Sequence, residues 1–78
     1  MRERTLQLVV TFHTTAAAMG MEQACLDAGV EGRLFPAPRS LTSDCGMAYR
    51  TAPEHRAALE RLARERRLET DQFQEMLL

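Results

Sequence analysis

The stretch Leu6-Gln7-Leu8-Val9-Val10-Thr11-Phe12-His13-Thr14-Thr15 decides how the rest of the chain is read. Residues 6–12 are dense in β-formers and predict a strand, buried on both faces around Val9 and Val10. Thr14 or Thr15 then stands where a helix N-cap belongs, because a threonine hydroxyl satisfies one of the unpaired first amides. The predicted helix runs to about residue 28, and Gly29 follows where a left-handed residue commonly ends a helix. Helical spacing places Ala18, Met19, Cys25, Leu26 and, in part, Glu22 on its inward face.

Working outward, Arg33, Leu34 and Phe35 predict a short second strand that Pro36 terminates. A turn-rich loop, Pro36-Ala37-Pro38-Arg39-Ser40-Leu41-Thr42-Ser43-Asp44-Cys45-Gly46, leads into a third strand over residues 46–50. Thr51-Ala52-Pro53-Glu54 reads as a helix start: Thr as cap, Pro in the first turn, Glu closing a capping box. That second helix extends to about residue 66, with Leu59, Leu62 and Ala63 inward and Arg56/Glu60, Glu60/Arg64 and Arg61/Glu65 as outer i,i+4 pairs. Residues 72–77 are expected to form an edge strand, although Phe73, Met76 and Leu77 also fit a helical stripe.

The order is β-α-β-β-α-β, which predicts an α+β, ferredoxin-like fold with a four-stranded antiparallel sheet and two helices on one face. In that topology the third strand lies between the first two. The ends of strands 1 and 2, the start of strand 3 and the first helix's N-terminus then share one rim, which gathers Phe12, His13, Pro36, Cys45 and Gly46.

Size and composition narrow the function classes. Seventy-eight residues make one domain, 1–78, with a modest core. The formal net charge is -1 and all the cations are Arg, so there is no electrostatic footprint for nucleic acid. Arg61, Arg64, Arg66 and Arg67 form a local basic cluster, but the strands lack the paired aromatics of RNA-binding sheets. No segment approaches the roughly 18 apolar residues that span a bilayer. The apolar run Leu8-Val9-Val10 is too short for a signal-peptide core, so a cytoplasmic protein with reduced thiols is expected. Cys25 and Cys45 form no CxxC or metal-ligand pattern, and neither a metal nor a cofactor is expected.

Cys45 is the residue on which chemistry would rest. A thiol at a loop-to-strand junction is more accessible than one in a helix, and Gly46 removes side-chain bulk beside it. A helix N-terminus on the same rim, at Thr14, favours a nearby thiolate, and His13 and Arg39 add positive charge or hydrogen bonds. The bland reading is a cysteine that fills a small apolar site, with His13 and Arg39 solvated. Cys25, at helical spacing from Ala18, reads as core.

The chain resembles the Se/S carrier protein-like family, a group of short bacterial proteins. The resemblance rests on Val9-Val10-Thr11-Phe12-His13-Thr14, Ala18-Met19-Gly20-Met21-Glu22 and Ala28-Gly29-Val30. Its most specific parts are Arg33-Leu34-Phe35-Pro36-Ala37-Pro38-Arg39 and Ser43-Asp44-Cys45-Gly46-Met47-Ala48. It implies a non-enzymatic carrier holding sulfur or selenium as a persulfide or selenopersulfide on Cys45. A cysteine or selenocysteine desulfurase-type donor and an acceptor protein would be its partners. Cys25 stands where the family has a large apolar residue, so the resemblance gives it no carrier role.

Two other readings stay open at this stage. One is a regulatory module whose rim binds an anionic metabolite through Arg39 and the first helix's N-terminus. The other is a homodimeric, partner-binding adaptor that uses an open sheet face carrying Leu8, Val10 and Tyr49.

Overall fold

The computed structural model describes residues 3–78. Strand β1 (Leu6–Thr11) leads into helix α1 (Thr15–Ala28), β2 (Arg33–Pro36) and β3 (Met47–Thr51). A short 3-10 turn (Pro53–His55), helix α2 (Arg56–Arg66) and β4 (Phe73–Leu77) complete the chain. The strands form one antiparallel sheet in the order β2-β3-β1-β4, the ferredoxin-like arrangement, with β3 inserted between β1 and β2 as the topology requires. The last segment is an edge strand paired along β1, with Leu6 opposite Leu77 and Val10 opposite Phe73.

Local chemistry explains the boundaries of α1. Thr14 has extended backbone and its side chain accepts from the amide of Ala17 at 3.1 Å, so it is the N-cap. Gly29 ends the helix at φ 72°, and its neighbour's amide, Val30 N–H, reaches the Cys25 carbonyl at 2.9 Å. The start of α2 differs from expectation. Thr51 is the last residue of β3 rather than a cap, because its hydroxyl is committed elsewhere: it donates to the Glu31 carbonyl and meets His55 Nδ1 at 2.8 Å. Pro53 instead opens a 3-10 turn with no side-chain cap.

The main core lies between the sheet and the helices. Leu8, Val10, Phe12 and Tyr49 point into it from the sheet, against Ala17, Ala18, Met21, Ala24 and Cys25 of α1 and Leu59 and Leu62 of α2. This corrects the face assigned to Leu8, Val10 and Tyr49, which lie under the helices and not on an open surface. It also turns α1 relative to expectation: Met21 and Ala24 are buried, whereas Met19 and Leu26 are exposed. The cause is composition, since apolar residues occupy several faces of this helix and do not define a single stripe.

A second, smaller cluster covers the other face. Val9 and Ala48 point there, and Leu41, from the β2–β3 loop, packs on them with Phe35, Ala37, Met76 and Leu78 alongside. The loop therefore folds back across the sheet, and part of the surface expected to be free for dimerisation is occupied by the chain itself. On the outside, Arg56–Glu60 and Arg61–Glu65 are ion pairs as expected, at 3.6 and 3.9 Å, while Arg66 pairs with Asp27 at 2.8 Å. The basic cluster of α2 is thus partly neutralised. No helix among the described residues is long and apolar enough to cross a membrane.

Candidate functional site

The antiparallel register puts Thr11 opposite Ala48 and Pro36 opposite Met47, so the end of β1, the end of β2 and the start of β3 lie at one end of the sheet. The loop of residues 37–46 is closed at its neck by Ala37 N–H donating to the Gly46 carbonyl at 2.9 Å. Close ends and internal packing make it a compact Ω-type loop. Within it, Leu41 N–H donates to the Pro38 carbonyl at 3.0 Å and Gly46 N–H to the Ser43 carbonyl at 3.1 Å, giving two successive tight turns. Leu41 holds the first turn on one face of the sheet. Cys45, in the second turn, packs against the edge of the main core on the opposite face. The loop thus wraps the rim.

Cys45 is half-buried and unpaired in a disulfide. Its sulfur is 3.7 Å from Ser43 Oγ and donates to the Met47 carbonyl at 3.5 Å. Ser43 Oγ also donates to that carbonyl, at 2.9 Å. The thiol is therefore positioned by a serine two residues earlier and a carbonyl two residues later. No α1 amide is among its hydrogen-bond partners, and the cap hydroxyl of Thr14 is spent within the helix. Gly46 has φ 75°, a backbone conformation that favours glycine, and a Cβ built on it would meet nothing within 4 Å. The space beside the sulfur-bearing turn is open.

His13 is close to the loop but meets its carboxylate, not its sulfur. His13 Nδ1 lies 2.7 Å from Asp44 Oδ2, and Nε2 lies 3.8 Å from Asp71, just before β4. The Asp44 hydrogen bond, helped by the charges of Asp71 and Glu69, raises the imidazole above its ordinary value despite some desolvation. Asp71 is itself tied to β1, since its amide donates to the Thr11 carbonyl at 2.8 Å. Protonated His13 thus links three segments of the rim. Arg39 is exposed at the outer turn of the loop and makes no ion pair among the described residues. Glu22, half-buried on α1, pairs with neither Arg39 nor Arg50.

The two cysteines differ sharply. Cys25 is fully buried, and burial pushes its thiol up, partly offset by the Tyr49 hydroxyl beside it. Among the described residues no group of three His, Cys, Asp or Glu side chains could hold a metal ion.

Ser43 and Asp44 are the rim residues that sequence reasoning passed over. The spacing Ser-x-Cys carried a signal, because a turn brings residues two apart into hydrogen-bond range. The partnership of His13 with Asp44 had none, being 31 residues long-range.

A family model described as Putative Se/S carrier protein-like matches residues 7–75, nearly the whole chain. Nothing matches among curated proteins or among solved structures.

Proposed function

The chain belongs to the Se/S carrier protein-like family, and we propose that it carries sulfane sulfur, or selenium in its place, on Cys45. The observation that supports this most is the contrast between the two thiols. Cys45 is half-buried at a turn with open space beside Gly46, while Cys25 is sealed in the core. A carried atom must be received from one protein and surrendered to another, so the sulfur needs a fixed position and an unobstructed approach.

The loading step balances without an external oxidant. The Cys45 thiolate attacks the terminal sulfur of a donor enzyme's persulfide. The new bond joins Cys45 Sγ to that sulfur, the donor's own S–S bond breaks, and the electron pair leaves with the donor's thiolate. The proton that Cys45 gives up ends on solvent or on the departing donor. Delivery is the same displacement reversed in sense, with Cys45 as leaving thiolate. A desulfurase-type donor acting on cysteine or selenocysteine fits the first half, and an acceptor protein the second. The protein is a carrier and not a catalyst in this scheme.

Ser43 has a role in it. In the thiol form its hydroxyl donates to the Met47 carbonyl, to which the thiol also donates. On ionisation the sulfur loses its donor, and rotation of the Ser43 hydroxyl, 3.7 Å away, supplies one to the thiolate. His13 positions the loop through Asp44, Thr14 caps α1 beside it, Gly46 keeps the approach clear, and exposed Arg39 offers a charge to an acidic partner surface.

The test is cyanolysis. The protein is incubated with a cysteine desulfurase and cysteine, separated from both and treated with cyanide, which removes sulfane sulfur as thiocyanate. The reading requires about one thiocyanate per chain for the native protein and none for Cys45→Ser. Equal release from both would remove it.

A further inference from the structure

The sheet face turned away from the helices is covered only in part. The register assigns its occupants: Val9 stands opposite Arg50 of β3, Arg50 stands opposite Arg33 of β2, and Ala48 stands opposite Phe35. Val9 and Ala48 belong to the cluster on that face, so their cross-strand partners share it. Leu41 covers Val9 and Ala48 from the loop, whereas Arg33 is exposed and Arg50, Phe35 and Met76 are half-buried.

The face is basic in a chain that is not. The formal net charge is -1. Yet the four strands contain one carboxylate, Glu75, which stands opposite Leu8 and therefore on the helix side. Arg33 and Arg50 are direct cross-strand neighbours, a like-charge relation that destabilises a sheet. Neither makes an ion pair among the described residues. Arg50 lies over the Phe35 ring at 5.4 Å, which steadies its guanidinium beside the apolar cluster. Arginine, an aromatic ring and methionine side by side make the mixed surface on which protein partners dock.

Other occupants fit less well. Single-stranded RNA stacks its bases on open aromatic rings, and the one strand aromatic on this face, Phe35, is already covered by Arg50. Tyr49 and Phe73 both stand opposite Val10, on the helix side. A second copy related by a twofold axis would set cations against cations. Carboxylates answer both guanidiniums with bidentate contacts and turn their repulsion into a bridged pair. The loop that carries Cys45 is itself anchored on this face by Leu41, with Arg39 exposed two residues earlier. We infer that this face docks the protein partner that exchanges sulfur with Cys45, through a segment of that partner in which carboxylates alternate with apolar side chains. The partner's identity rests on the carrier reading; the acidic character of its docking segment rests on the face alone.

The experiment titrates the full chain with a short synthetic peptide rich in glutamate and leucine and, separately, with a single-stranded oligouridylate of equal charge. Amide shifts are followed in ¹⁵N–¹H spectra at constant ionic strength. Saturable shifts centred on residues 33–35 and 48–50 are expected with the peptide. Arg33→Gln should melt no lower than the native protein, because it relieves the opposed charges, and should bind the peptide about tenfold more weakly (the order of magnitude for a lost interfacial charge pair). Arg64→Gln, on α2, should bind it as the native protein does. Shifts that grow linearly with the peptide, native affinity in Arg33→Gln, or tighter binding of the oligouridylate would overturn the assignment. A second arm loads Cys45 with sodium tetrasulfide, which needs no docking, and reads thiocyanate after cyanolysis; native protein and Arg33→Gln should release equal amounts. No release from the native protein would overturn the partner's role in sulfur exchange even where peptide binding persists.

Discussion

Leu41→Ala tests whether the β2–β3 loop is held as described. Leu41 is 8% exposed and is the loop's own large side chain in the cluster over Val9 and Ala48. Truncating a buried Leu removes about 2–5 kcal/mol, depending on how far the site collapses. This one lies under a single loop that can settle onto the sheet, so the low end, about 2 kcal/mol, is expected. A domain of this size has a urea slope of about 1 kcal/mol/M, so the unfolding midpoint should fall by about 2 M. The same substitution should act on Cys45. If the loop opens locally, 2 kcal/mol is about a thirtyfold larger open population, and native-state alkylation of Cys45 should quicken by up to that factor. The assay pairs urea unfolding by circular dichroism with timed iodoacetamide labelling read by mass. A midpoint within a few tenths of a molar of the native value, together with unchanged labelling, would refute the packing argument.

Other expectations follow from single contacts. Gly32→Ala should destabilise by about 1–3 kcal/mol, because the new Cβ would lie 2.5 Å from the Tyr49 hydroxyl and 2.7 Å from the Arg50 carbonyl, and the latter is backbone; an unchanged melting temperature would contradict this. His13 has a raised folded-state value, so its stabilising link to Asp44 is complete below the unfolded value of about 6.5 and is lost as pH rises through the higher folded one. An NMR titration should show the His13 midpoint falling in Asp44→Asn, and no change there would mean that the 2.7 Å contact does not hold in solution. Native-state alkylation should label Cys45 well before Cys25, which is fully buried with its thiol pushed up; equal rates would argue against the carrier reading.

Much of this fold was legible in the sequence because its punctuation is local. Thr14 and Gly29 bracket α1, Pro36 ends β2, and the order of elements then admits few topologies. What escaped reading depended on distant partners. Residues 8–12 are all buried, so alternation does not say which side faces the helices, and Leu8, Val10 and Tyr49 lie under the helices and not on the expected open face. Met19 and Leu26 are exposed although helical spacing predicts them inward, because α1 has apolar residues around most of its circumference. Thr51 resembled a cap until Glu31 and His55, brought near by the fold, claimed its hydroxyl. Leu41 is the one large aliphatic side chain in the loop, and only the return of that loop across the sheet gives it a core to join.

The candidate site divides in the same way. The loop junction, Cys45 and the left-handed Gly46 belong to one continuous stretch, and could be seen together. Ser43 contacts the sulfur from within that stretch, yet its role depends on the turn that Gly46 N–H closes with the Ser43 carbonyl. The expected direct support from His13 and the α1 amides is replaced by an indirect one, through Asp44 and the loop.

The central claim is that Cys45, and not Cys25, bears the transferred atom. Intact-mass analysis after exposure to a cysteine desulfurase and cysteine, followed by fragmentation to locate the modification, tests it most directly. The account predicts a gain of one sulfur atom, carried on the fragment containing Cys45, absent from Cys45→Ser and retained in Cys25→Ala. No mass gain in the folded native protein, or a gain that maps to Cys25, would contradict it.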